Sequence, residues 1–181
     1  MRILKDAGDD CRADSTAFRR QKFSYHDLTI SVVDSDKDAA DDVGFGIAER
    51  FYLWNGKEET ETASAIRSGL WHTTMVVNRM TPGDASRIAE LFAELDTTDF
   101  PEKMGTRRRQ LWHYNDVYFH LQDFEQAAGT EVINQAWRDS DSRFIKICDD
   151  LESYIRRYDP ETWARPADSI AKRIETETPY A

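Results

Sequence analysis

Between Thr106 and Gln122 the side chains alternate in character on either side of a two-residue break at Asn115-Asp116. A period of two marks a strand, and Asn and Asp both tolerate the left-handed backbone of a tight turn, so this stretch predicts a β-hairpin. With Tyr114 opposite Val117, Leu111 faces His120 and Arg109 faces Gln122. Arg107, Arg109, Leu111, His113, Tyr118, His120 and Gln122 then share one face of the hairpin. Arg108, Gln110, Trp112, Tyr114, Val117, Phe119 and Leu121 share the other, more apolar face, where Trp112, Tyr114 and Phe119 are expected in the core.

Residues 72–80 predict a strand, and Thr81-Pro-Gly-Asp84 supplies a helix start, with Thr as N-cap, Pro in the first turn and Asp at the positive end of the dipole. Ile88, Leu91, Phe92 and Leu95 continue at helical spacing until residues 96–101 break the pattern. After Asp123 a helical region is interrupted near Asp139–Asp141. Its second part places Phe144, Ile147, Cys148, Leu151 and Ile155 on one stripe, and Tyr158-Asp-Pro160 stops it. The order β, α, β, β, α followed by a polar tail predicts an α+β chain of the ferredoxin-like split βαβ class. In that class one sheet face packs the helices and the other is free.

The first 70 residues read as an N-terminal extension to a domain over residues 71–181. Residues 34–42 hold five Asp, expected to be solvated, and residues 55–68 are polar without a clear period, partly a linker. The extension also contains an internal echo. Arg19-Arg-Gln-Lys-Phe-Ser-Tyr-His-Asp27 resembles Arg108-Arg-Gln-Leu-Trp-His-Tyr-Asn-Asp116, with Asp34 matching Asp123 and Ala39 matching Ala128 further on. We read this as a degenerate, truncated copy with a hairpin at about 19–34 and a strand at 47–54. Ser31 stands where His120 would be, so a second site there would be dead.

A net charge of −10 argues against a nucleic-acid surface, because the run from Arg107 to Arg109 is divided between two sheet faces. No apolar run approaches the roughly 20 residues of a membrane span, and no secretory leader opens the chain. Cys11 and Cys148 lack metal spacing, and Cys148 is expected as a buried, reduced thiol. The expectation is a cytoplasmic protein with neither metal nor membrane partner. Five Trp, seven Tyr and nine Phe provide for a core or an aromatic-lined pocket.

Arg109 and His120 become diagonal neighbours on one face of the hairpin. A permanent cation beside a group that titrates near neutrality suits acid–base chemistry on an anionic intermediate. Tyr118, His113, Arg107 and Gln122 share that face and are the expected substrate-binding residues.

These segments together resemble the tetracenomycin cyclase family of aromatic polyketide cyclases. The resemblance runs from about Trp71 to Trp163. It rests on Arg-Met-Thr-Pro-Gly-Asp84, Phe92-Ala-Glu-Leu-Asp-Thr-Thr98, Arg107-Arg-Arg109, Asp116-Val-Tyr-Phe-His-Leu121 and Tyr158-Asp-Pro-Glu-Thr-Trp163. It implies a ferredoxin-like homodimer of the dimeric α+β barrel type, without cofactor, that folds a poly-β-ketone in an interior pocket. There it closes an aromatic ring by aldol-type condensation and loss of water. It also implies catalytic roles for Asp96, Arg109 and His120, and an acyl carrier protein as a further partner. The chain departs from the family pattern in three places. Leu95 replaces a family His, Asp141-Ser142 replaces a His-Pro pair, and Lys172-Arg-Ile-Glu-Thr-Glu177 stands where a closing Phe-Tyr-x-Trp strand belongs. A match to that strand, Ala48-Glu-Arg-Phe-Tyr-Leu-Trp54, lies in the extension, so residues 50–54 are expected to supply the last sheet strand, in cis or from a dimer partner. A cofactor-free oxygenase of phenolic polyketides and a non-catalytic folding partner of the synthase are the alternative functions.

Overall fold

The computed structural model describes residues 2–5, 17–35, 48–56, 59–125, 129–139 and 141–177. Most of the acidic run, Cys11 and the Ala39/Ala128 pair of the echo lie outside them. The strands are β1 (Arg2–Lys5), β2 (Ala17–Tyr25), β3 (Leu28–Ser35), β4 (Glu49–Asn55), β5 (His72–Met80), β6 (Thr106–Tyr114), β7 (Val117–Phe124), β8 (Ile155–Arg157) and β9 (Lys172–Glu177). The helices are α1 (Glu59–Arg67), α2 (Ala85–Asp96), α3 (Phe100–Lys103), α4 (Gly129–Asp139) and α5 (Ser142–Leu151).

The predicted hairpin forms as β6–β7 in the expected register, with Tyr114 on Val117, Leu111 on His120 and Arg109 on Gln122. Asn115 takes the left-handed conformation at φ 52° that the turn demands. A register shift between Thr106 and Arg108 takes Arg107 out of the alternation. Arg107 therefore does not continue the Arg109 face, and its Nε donates to Glu125 Oε1 at 2.8 Å.

The strands β8-β5-β7-β6 stand in ferredoxin-like order, and β4 adds a fifth strand outside β6. The second sheet has the order β1-β3-β2-β9. The two orders correspond: β1 lies beside β3 as β5 lies beside β7, and each hairpin is flanked by a strand from the other half of the chain. The strand β4 leaves the N-terminal half to pair with β6, and β9 leaves the C-terminal half to pair with β2. The echo seen in the sequence falls on equivalent positions of the two hairpins. Tyr25 pairs with Leu28 as Tyr114 pairs with Val117, and His26 matches Asn115 with φ 49°.

One core cluster lies between the sheets. It joins Phe23, Ile30 and Val32 to their counterparts Trp112, Phe119 and Leu121, together with Met75 and Val77. The face expected to be free is therefore covered by the four-stranded sheet β1-β3-β2-β9. The other face of the five-stranded sheet packs against α2, α4 and α5, with Ile88, Phe92, Leu111, Ile133 and Ile147 in a second cluster.

Four charged side chains are buried where the halves meet. Arg19 Nε donates to Asp34 Oδ2 at 2.8 Å and its Nη2 to Asp123 Oδ1 at 3.3 Å. Arg108 mirrors this, with Nε to Asp123 Oδ2 at 2.6 Å and Nη1 to Asp34 Oδ1 at 3.2 Å. Each guanidinium thus binds the carboxylate of its own hairpin through Nε and reaches that of the other hairpin through Nη, with Arg19 Nη2 also 2.8 Å from Asp34 Oδ2. Asp34 is 2 % exposed, so the acidic run begins inside the protein rather than in solvent. Burial raises its carboxyl and the two guanidinium groups pull it down further, to about 2.

Three other expectations change. Residues 59–67 form α1 because Thr62 and Ile66, four apart, bury on one side. The helix α5 ends at Leu151, so Ile155 packs from β8 and not from the helical stripe. The polar tail contains β9, whose charged side chains suit an edge strand.

Candidate functional site

The hairpin alternation turns Arg109, Tyr118, His120 and Gln122 toward the helices, where they line a cavity of about 370 Å³ between the sheet and α2, α4 and α5. That volume lies within the usual range for small-molecule sites. Phe92, Leu95, Phe100, Ile133 and Phe144 make most of the inner wall apolar.

Inside this apolar surround the polar groups form one chain. Tyr52 Oη donates to Asp96 Oδ2 at 2.9 Å, and Arg109 Nε reaches Asp96 Oδ1 and Oδ2 at 3.1 and 3.0 Å. Arg109 Nη1 lies 2.8 Å from His120 Nε2, and Gln122 Nε2 lies 2.9 Å from the same nitrogen. A guanidinium only donates, so His120 Nε2 is the acceptor and the ring proton sits on Nδ1. Phe92 supports both groups, with its ring centroid 4.8 Å from the Arg109 guanidinium carbon and 4.9 Å from the imidazole centroid.

Burial, then the Arg109 charge, holds the His120 pKa well below 6.5. Burial raises the Asp96 carboxyl against the opposing pull of Arg109 and Tyr52. Burial also pushes the Tyr118 phenol upward, which keeps it a donor at neutral pH. Because His120 stays neutral in the folded protein, the unfolded chain takes up an additional proton as pH falls below about 6.5. Stability should therefore decline from that pH toward the folded pKa. Denaturant midpoints over this range should fall more steeply for the wild type than for His120→Gln. Parallel slopes would mean that the ring titrates normally.

Three buried polar atoms on the cavity residues have no partner among the described residues: Arg109 Nη2, Tyr118 Oη and Gln122 Oε1. Unsatisfied buried donors beside a cavity are positions for ligand oxygens. The arrangement offers two donors, Arg109 Nη2–H and Tyr118 O–H, next to a neutral imidazole.

The other expected site residues lie elsewhere. Asp96 does not line the cavity; its side chain is 1 % exposed and sits behind Arg109, fixing the guanidinium. His113 is at the far end of β6, with Nε2 3.7 Å from Glu49 Oε2 and its ring 5.8 Å from that of Phe51, outside the lining. Arg107 is outside it too. Leu95 presents an apolar wall where the resemblance expects an imidazole. Cys148 borders the cavity half-buried, and burial pushes its thiol up to about 12, so it is no thiolate nucleophile at neutral pH. Tyr52 is the network member that the sequence reading missed. Its only signal was its place in the strand-like segment 50–54.

No helix among the described residues is long and apolar enough to cross a membrane. No three His, Cys, Asp or Glu side chains among them gather as metal ligands.

A family model for polyketide synthesis cyclases matches residues 72–176. Tetracenomycin F2 cyclase of Streptomyces glaucescens is 31% identical over 102 residues, covering 56% of this chain and 89% of its own length. Polyketide synthase CurG of Streptomyces cyaneus is 29% identical over 101 residues, covering 56% of this chain and 92% of its own. The solved structure of the S. glaucescens tetracenomycin F2 cyclase superposes with a TM-score of 0.51 at 34% identity, over 56% of this chain and 92% of that one. An anthrone oxidase-like protein superposes over 98% of this chain and 91% of its own with a TM-score of 0.55. At 10% identity it shares the two-sheet fold alone. With the model matched across β5 to β9, the chain belongs to the polyketide synthesis cyclase family.

Proposed function

We propose that this protein is an aromatic polyketide cyclase that closes a ring of a poly-β-ketone by aldol condensation and loss of water, drawing on its own side chains without a cofactor. The unpartnered Arg109 Nη2 and Tyr118 Oη beside His120, within an otherwise apolar cavity, carry this reading. Methylenes flanked by two carbonyls are already acidic, so catalysis needs a modest base, donors for the enolate oxygen and walls that select one fold of the chain.

In this reading a substrate carbonyl oxygen takes hydrogen bonds from Arg109 and Tyr118, and both Arg109 Nη1 and the Gln122 amide turn from His120 Nε2 toward the substrate. The freed Nε2 accepts the methylene proton. Imidazolium and enolate then appear together, and the enolate offsets the guanidinium charge that held the imidazole pKa down. The enolate carbon bonds to a second carbonyl carbon, whose oxygen takes the proton back from His120. Loss of the new hydroxyl with a neighbouring hydrogen, as water, gives a ring enone, and enolisation of the remaining ring ketones makes it aromatic. Asp96 and Tyr52 act as positioning residues, holding the guanidinium through Nε. His113 and Arg107 have no part in these steps.

The acceptor is a poly-β-ketone or a partly cyclised aromatic polyketide. The homodimer implied by the resemblance would assemble from units in which β4 and β9 already make an exchange between the halves of one chain. The test is the mass of the product formed with a minimal aromatic polyketide synthase under argon. A product lighter by one water per ring closed is expected. A product that forms only in air and gains oxygen would make the protein an oxygenase.

A further inference from the structure

At the mouth of the cavity, away from Arg109, lies a second cation with its own support. Arg157 on β8 pairs with Asn78 on β5, so both side chains project from the cavity face of the sheet. The Arg157 guanidinium carbon sits 3.7 Å from the Trp163 ring centroid. Trp163 is held in turn: its Nε1 donates to Ser169 Oγ at 2.9 Å, and Ser169 Oγ donates to Asn78 Oδ1 at 3.2 Å. Ser169 is 4 % exposed, so this relay is fixed from within. All four residues line the cavity. Stacking occupies one face of the guanidinium and leaves its N–H edge unused, and no carboxylate among the described residues pairs with it. Asp149, Glu152 and Arg156 also line the cavity, so charges of both signs are present and attraction comes from direct contact with the stacked Arg157 rather than from a general positive field.

The sheet sets the span between the two cations. Three strand steps separate β6 from β8, roughly 14 Å, and the register places Arg157 four residues along β5 from the level of Arg109, roughly 13 Å. The cavity thus has a donor site at its inner end, an apolar middle and a stacked cation at its mouth.

We propose that Arg157, stacked on Trp163, is an anion subsite that grips the negatively charged end of the polyketide while its reacting carbonyls lie at Arg109. This rests on the cyclase reading for the identity of the substrate. The anion is a carboxylate if the chain arrives released, or the phosphate of the pantetheine arm if it arrives on its carrier. A planar fork with free edges suits either.

Calorimetric titration with 2-naphthoate and with methyl 2-naphthoate tests the subsite without turnover. The acid should bind about tenfold tighter than the ester, as expected for one partly exposed charge-assisted contact. Arg157→Gln should remove the difference and leave the ester unchanged. Arg173→Gln, on β9 and outside the cavity lining, should keep it. An acid-to-ester ratio that survives Arg157→Gln would overturn the proposal. Competition by 4′-phosphopantetheine against naphthoate would place the carrier arm at this subsite, and its failure to compete would leave the free carboxylate. Discrimination without ring closure in the synthase assay would reject the cyclase reading and keep the subsite. Ring closure without discrimination would reject the subsite alone.

Discussion

Asp34→Ala, a change far in sequence from the cyclase-like half, is expected to destabilise the whole protein by about 3–5 kcal/mol, the usual cost of stranding buried charge. Asp34 receives hydrogen bonds from both Arg19 and Arg108, so its removal leaves two guanidinium groups in a nearly dry site with Asp123 as their shared counter-ion. An Arg cannot discard its proton to escape. The loss should appear as a single lower denaturant midpoint at neutral pH, shared by Trp112 fluorescence, which reports the five-stranded sheet, and by amide exchange in β2 and β3, which reports the other, because the square joins both sheets. A two-step transition in which the β5–β8 sheet keeps its wild-type midpoint would show that the halves are independent. The pH dependence has a definite sign. Asp34 is pulled to about 2 from an ordinary 3.8, and Asp123 is lowered as well. The unfolded chain therefore binds protons first, and the stability from these two groups is complete above 3.8 and lost as pH falls toward 2. Asp34→Ala should flatten that acid limb.

Arg109→Gln is expected to lower kcat by about 10²–10³, the range for removing a donor aimed at developing oxyanion charge. Its effect on stability should be smaller than that of Asp34→Ala, although Arg109 is itself 2 % exposed. The difference lies in the partner left behind. Burial already raises the Asp96 carboxyl, so Asp96 can take up a proton when its guanidinium is gone. Turnover and the thermal midpoint measured on the same preparation separate the two effects. A variant that keeps wild-type kcat would remove Arg109 from the chemistry. A collapse of the midpoint with the remaining folded fraction fully active would make its role purely structural.

The sequence reading goes furthest where the pattern is local. Turn chemistry at Asn115-Asp116 and strict alternation set the β6–β7 register, which in turn brings Arg109, Tyr118, His120 and Gln122 to one face. Alternation fails at the Thr106–Arg108 shift, and no residue type there announces it, so Arg107 leaves the site face. His113 shares the correct face but lies too far along the strand, beside β4, to reach the cavity. Edge strands are harder to read, because one side of their backbone faces solvent and their side chains are polar. That is why Lys172–Glu177 reads as tail although it closes a sheet. Tyr52 was hidden for a related reason. Its position along β4 is local, but its contact with Asp96 depends on which strand β4 pairs with, and sequence spacing does not encode that choice. The echo between the hairpins carried more than motif similarity: the matched residues Arg19/Arg108 and Asp34/Asp123 are the four corners of the buried square.

Ring closure is proposed to depend on the Arg109–His120 pair. The most direct measurement is the ring pattern obtained from a minimal aromatic polyketide synthase with the wild type, Arg109→Gln and His120→Ala side by side, each confirmed folded. A new, dehydrated ring pattern is expected from the wild type, with reversion of both variants to the pattern made by the synthase alone. A new pattern that persists in both variants would contradict it, and would make the cavity a mould that acts through shape.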